Sequence, residues 1–161
     1  IRLNFNIKRK VIKMIAIGCD KAGINLMKAV IEHLKSESKD VKCFGITEDN
    51  PVDYPEIAFK VANSVASGEC KYGILICGTG IGMSMAANKV KGIRAAVCSE
   101  HYSAKYTRLH NDANILCLGG RVIGEELAKE LVDVFLNTEF EGGRHLRRVN
   151  YISDIENGRV K

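Results

Sequence analysis

An α/β fold with a parallel sheet is predicted by three features of the sequence. Short apolar runs alternate with amphipathic stretches along nearly the whole chain. Several of the runs are apolar at consecutive positions, as strands covered on both faces tend to be. Glycines and polar residues gather just after the runs, where ligands bind in open α/β sheets. The expected architecture is a Rossmann-like three-layer sandwich built on a parallel five-stranded sheet.

The five strands are expected at residues 14–19, 41–45, 73–77, 94–98 and 115–118. After the first, Met27, Val30, Ile31 and Leu34 recur at helical spacing, with Lys28, Glu32 and Lys35 on the other face. Ala58, Val61, Ala62 and Val65 mark a second helix after the loop 47–55. Met83, Ala86, Ala87 and Val90 mark a third beyond the middle strand, and Leu127, Leu131, Val134 and Phe135 another after the last strand. A final helix is expected to start near Arg144. No repeat or second domain is evident, so residues 14–161 read as one domain of a size that buries a real core.

The net charge of +5 hints at nucleic acid, but its distribution removes the hint. Arg2, Lys8, Arg9, Lys10 and Lys13 stand in residues 1–13 without an acid. The rest holds 19 basic residues, the 24 of the chain less these five, against its 19 acidic ones. A neutral body behind a basic N-terminal extension is not expected to bind nucleic acid. No apolar run is long enough for a membrane span, and no secretory signal is read. A cytoplasmic protein is expected. Its six cysteines include no C-x-x-C pair and no accompanying His-x₃₋₅-His spacing, so no metal is expected.

The stretch 73–84 is the most informative. An apolar strand ends at Cys77, and Gly78, Gly80 and Gly82 alternate before an apolar helical pattern begins. Glycines there let the backbone turn sharply and aim successive N–H groups at one point. The helix N-terminus behind them adds positive potential, which favours anions and a neighbouring thiolate. A thiolate beside such a hole is suited to removing a proton next to a carbonyl. Two other readings compete at this point. Cys77 could be a small buried strand residue. A dinucleotide could also bind, with Glu100 on the ribose, although Met83 falls at the third small position of that fingerprint.

Before the last strand, Arg108-Leu109-His110-Asn111-Asp112 is unusually polar for a turn. His110 could move protons near neutral pH, and Asn111 could bind hydroxyls. Arg144 and Arg148, four apart, share a face of the final helix and match phosphate oxygens in shape and charge. A helix at the end of the chain could reach a neighbouring subunit as easily as its own.

Taken together, Gly18-Cys19-Asp20, Asp53-Tyr54-Pro55, Ile76-Cys77-Gly78-Thr79-Gly80-Ile81-Gly82, Ala86-Ala87-Asn88-Lys89, Gly92-Ile93-Arg94-Ala95, His110-Asn111-Asp112 and Glu141-Gly142-Gly143-Arg144-His145 resemble the type B ribose-5-phosphate isomerases and the galactose-6-phosphate isomerase subunits. The resemblance implies a homodimer, sometimes a tetramer, with shared active sites. It also implies an enzyme without cofactor that interconverts ribose 5-phosphate and ribulose 5-phosphate in the pentose phosphate pathway. By position, Cys77 would be the base, His110 the acid that opens the sugar ring, and Thr79 an aid to the glycine loop. Gly78, Gly80, Ile81 and Gly82 would hold the enediolate oxygens. Asp20, Tyr54 and Asn111 would meet the sugar, and Arg121, Arg144 and Arg148 the phosphate. Lys21 stands where the family usually has a histidine facing the phosphate, which implies altered affinity. Activity on hexose 6-phosphates such as galactose or allose 6-phosphate, or sugar-phosphate binding without catalysis, are the alternatives.

Overall fold

The computed structural model describes residues 14–45 and 52–160, so the expected extension 1–13 and part of the loop 47–55 lie outside the described residues. Five strands form one sheet: β1 (Ile15–Cys19), β2 (Val41–Cys43), β3 (Tyr72–Cys77), β4 (Ala95–Val97) and β5 (Ile115–Gly119). They lie in the order β2-β1-β3-β5-β4, and every neighbouring pair is parallel. β1, β3 and β5 are buried at every residue, which explains why these runs are apolar without alternation. The edge strands are shorter than expected, although Phe44 and Cys98 each donate one further N–H to a neighbouring strand, to Ile17 and Cys117.

Helices cover both faces. α1 (Ile24–Ser36), α4 (His101–Asn111) and α5 (Glu125–Asn137) enclose one core with Ile17, Ile74, Leu116 and Phe135. α2 (Tyr54–Ala66) and α3 (Ile81–Ala87) enclose the other with Leu75, Ile115 and Cys117. Each large apolar side chain so buried contributes about 1.5–3 kcal/mol, so the two cores dominate the stability of the sheet. α6 (Arg144–Glu156) packs on α4 and buries only His145 and Val149. It leaves Leu146, Tyr151, Ile152 and Ile155 exposed. No helix among the described residues is long and apolar enough to cross a membrane.

α4 departs from the sequence reading, which expects no helix between 99 and 114. Its buried line runs through Ala104 and Arg108, so a charged residue occupies what would be an apolar core position. Arg108 is satisfied there by Asp112 Oδ1 at 2.7 Å, the Ala113 carbonyl at 2.6 Å and the Tyr72 hydroxyl at 3.0 Å. Its guanidinium also lies over the Tyr72 and Phe135 rings. Asp112 closes the helix in the left-handed region, at φ 48°, and pairs through its other oxygen with Arg94 at 3.1 Å. This network fixes the last turn of α4, which carries His110 and Asn111. Both residues are therefore helical, where the sequence pattern suggests a loop.

Candidate active site

Strand order reverses between β1 and β3, and the crevice beyond their carboxyl ends is where such sheets bind ligands. Register places Cys19 beside Ile76 and Cys77 beside Gly119. Three turns therefore meet at one edge. Gly120 N–H donates to the Cys77 carbonyl at 2.7 Å, and Asp20 N–H to that of Ile76 at 3.1 Å.

Cys77 ends β3 with its thiol almost covered, and the Gly80 amide donates to Sγ at 3.1 Å. Gly80 sits at φ +78°, and a Cβ there would stand 3.0 Å from the Leu118 carbonyl carbon, so backbone and space both require glycine. Thr79 Oγ1 accepts from the Ile81 amide at 3.2 Å. α3 begins at this same edge, so its first-turn N–H groups open toward it. Tyr54, the first residue of α2, lies over the first turn of α3; a Cβ on Gly82 would approach its ring to 2.8 Å. The Arg121 guanidinium lies 3.6 Å from the position of a Cβ on Gly78. Asp20 caps the short 3₁₀ turn Lys21–Gly23 through the Ala22 amide, and Lys21 stands exposed beside it.

The other cysteines differ in environment. Burial, then Glu100, pushes the Cys98 thiol up to about 11, and burial pushes Cys117 well above the ordinary thiol range. Both stay protonated, and neither receives a hydrogen bond like the one Gly80 gives Cys77.

The remaining predicted residues lie elsewhere. β5 starts at Ile115 beside Gly73 and ends at Gly119 beside Cys77, about 13 Å farther along the strand. Asn111 precedes Ile115, and the Arg94 side chain binds its carbonyl just ahead of β4. The end of α4 is thus at the amino edge of the sheet. His110 and Asn111 line a cavity of about 380 Å³ along α4 with Tyr106, His145 and Arg148. Asp20, Tyr54, Cys77 and Arg121 take no part in its wall. Arg144 is exposed at the start of α6, with Nε 3.4 Å from His145 Nε2.

Two further residues belong to this second cluster. His145 is buried, and its ring stacks on that of His110 with centroids 4.0 Å apart and planes 9° apart. Glu141 Oε2 is 3.6 Å from Nε2 of each. Burial, then His110 and Arg144, holds His145 below the ordinary imidazole range. Sequence reasoning favours the flanking arginines and assigns His145 no role. Its spacing of four from Glu141, which stands just ahead of α6, is the one signal that points to it.

Residues 15–152 match the model of the family described as Ribose/Galactose Isomerase. The chain belongs to the ribose/galactose isomerase family. It is 51% identical over 147 residues to ribose-5-phosphate isomerase B of Escherichia coli K12, which covers 91% of this chain and 99% of that protein. The ribose-5-phosphate isomerase B structure from Clostridium thermocellum superposes with a TM-score of 0.88 at 52% identity, over 91% of this chain and 99% of the other. D-erythrulose-4-phosphate isomerase of Pectobacterium atrosepticum is 44% identical over 144 residues, 88% of this chain and 94% of that one. As a member of the ribose/galactose isomerase family, the chain has the Rossmann-like sheet expected. Met83, at the third small position of the dinucleotide fingerprint, is wholly buried.

Proposed function

We propose that this chain is a ribose-5-phosphate isomerase of type B that uses Cys77 as its base. The observation that carries the proposal is the Cys77 thiol at a strand end, hydrogen-bonded by the Gly80 amide inside a glycine loop. Arg121 on one side, with Arg144 and Arg148, clamps the substrate phosphate, so remote binding energy orients the sugar. Lys21 adds a point cation beside them. His110 protonates the ring oxygen as the ring opens, while Asp20, Tyr54 and Asn111 hold hydroxyls. The Cys77 thiolate removes the C2 proton, and the amides of Gly78, Gly80, Ile81 and Gly82 stabilise the enediolate with Thr79. The proton returns to C1, and no cofactor enters the scheme. The enzyme is cytoplasmic, with 14–161 as its catalytic domain and 1–13 as an extension outside it.

This scheme requires two copies of the chain. Cys77 and His110 lie toward opposite edges of one sheet, so a single protomer does not bring acid and base together. A two-fold dimer joins the Cys77 half of one protomer to the His110, Asn111 and Arg148 half of its partner, twice over. Exposed apolar residues flank both halves: Ile81 and Met85 on α3, and Tyr102, Leu146 and Ile152 on α4 and α6. A homodimer is the smallest such assembly, and a tetramer of two dimers keeps the same sites.

A coupled assay across ribose 5-phosphate, galactose 6-phosphate and allose 6-phosphate tests the substrate. The expected result is a kcat/KM for the pentose at least about tenfold above either hexose, equivalent to about 1.4 kcal/mol in the transition state. Preference for a hexose would move the enzyme to the other branch of its family, and no turnover with any would leave a binding module. For the clamp, Arg148→Ala is expected to raise KM for ribose 5-phosphate by about tenfold or more, given that a charge-assisted hydrogen bond is worth about 1.5–3 kcal/mol. An unchanged KM would mean that Arg148 is only a solvated residue of α6.

A further inference from the structure

His110 sits half-buried on the last turn of α4, and two rings rest against its own. Tyr106, one turn earlier, meets it edge to face with centroids 4.9 Å apart. His145 lies flat on it at 4.0 Å. A particular turn builds the second contact. Glu141 N–H donates to the Leu109 carbonyl at 3.1 Å, which ties the segment ahead of α6 to the end of α4. Gly142 and Gly143 follow at φ 69° and 55°, the left-handed region that glycine enters without strain, and a Cβ on either would meet open space. Glycine is required there for the direction of the backbone, and that direction starts α6 with His145 against His110. Packing alone would favour an apolar side chain at this buried position, because desolvating an imidazole carries a cost.

The two rings differ in which can carry charge. Cations stacked 4.0 Å apart repel, so only one ring of the pair is an imidazolium at a time. His145 is the poorer host. It is buried where His110 is half-buried, its Nε2 accepts from Arg144 Nε at 3.4 Å, and Arg148 lines the same cavity. Glu141 Oε2, 3.6 Å from Nε2 of both rings, favours a cation on the pair, and these surroundings direct it to His110. We propose that His145 is a positioning residue that acts through His110: its neutral ring fixes the plane of the His110 ring and leaves the transferable proton there. This role rests on the reading of His110 as the acid of ring opening. Without the stack, the His110 side chain is free to change rotamer, and a misplacement of about 1 Å can cost about 10²-fold in rate.

The test compares His145→Ala with His110→Ala and with Val149→Ala, which trims the other buried contact of α6. Two rates are measured: turnover of ribose 5-phosphate, and exchange of the C1 hydrogen of ribulose 5-phosphate in deuterium oxide. Ribulose 5-phosphate has no furanose ring to open, because its C5 oxygen carries the phosphate, so exchange needs the base and not the acid. His145→Ala is expected to lower kcat for ribose 5-phosphate by about tenfold to 10²-fold, with KM and the exchange rate each within about threefold of the parent. His110→Ala should show the same pattern more strongly, and Val149→Ala a smaller loss. In nitrogen-15 spectra of the parent enzyme, His145 should keep the signals of a neutral ring down to about pH 6.5, since burial, then His110 and Arg144, hold it below the ordinary imidazole range. A KM that rises as in Arg148→Ala, or an equal loss in Val149→Ala, would make His145 a packing residue of α6 and overturn the proposal. A cationic His145 beside a neutral His110 at that pH would overturn it as well. Parent turnover in His110→Ala would instead sink the acid reading, and the positioning role with it.

Discussion

Replacing Cys77 by alanine is expected to slow isomerisation by about 10²- to 10⁴-fold, the usual cost of losing one positioned general base. Exchange of the C2 proton with solvent deuterium should be lost in parallel, because the same transfer underlies both. The fold should survive. Cys77 is small, and the main polar interaction that alanine forgoes is the hydrogen bond from the Gly80 amide, worth about 1 kcal/mol. Thermal unfolding of the variant checks that point, so that inactivity is not mistaken for collapse. Turnover near that of the parent would remove Cys77 from the mechanism and leave the glycine loop as an anion cradle only.

The second large effect concerns how the site is assembled. Cys77→Ala and His110→Ala should each be nearly inactive alone, yet mixing them under conditions that exchange subunits should restore activity. With random exchange half of the dimers are mixed, and each mixed dimer has one site carrying both lesions and one carrying neither. Activity should therefore return to about one quarter of the parent value, as two-fold symmetry dictates. Within a single-chain site no combination of these variants restores anything, so a mixture that stays inactive after proven exchange would overturn the shared-site reading. The positions of β5 and α4 make the prediction sharp, since about 13 Å of strand separates the level of Gly73 from that of Cys77.

Legibility differs between the two halves for a physical reason. The Cys77 half is local: a buried strand, three glycines and a short helix follow one another in sequence, and each has a pattern that neighbours alone impose. Alternate glycines are read directly, and the φ of +78° at Gly80 bears out the requirement there. The His110 half is not local. α4 hides from periodicity because Arg108 takes a core position, and partners spread along the chain, from Tyr72 through Asp112 and Ala113 to Phe135 and Thr138, make that burial tolerable. His145 escapes notice in the sequence because its importance comes from stacking on His110, thirty-five positions away.

The sequence by itself thus determined the α/β class, the parallel strands and the glycine loop with its cysteine, because hydrophobic period and glycine spacing act over a few residues. Membership of the isomerase family was legible there too, through motifs kept in order. Tertiary structure alone decided where the other half went. Parallel pairing of β5 with β3 sends the end of α4 to the edge of the sheet away from Cys77. The Arg108–Asp112–Arg94 network then holds His110 and Asn111 beside His145 and Arg148. Which residues that helix end meets follows from strand order and from the packing of α6 on α4, and no local pattern encodes either.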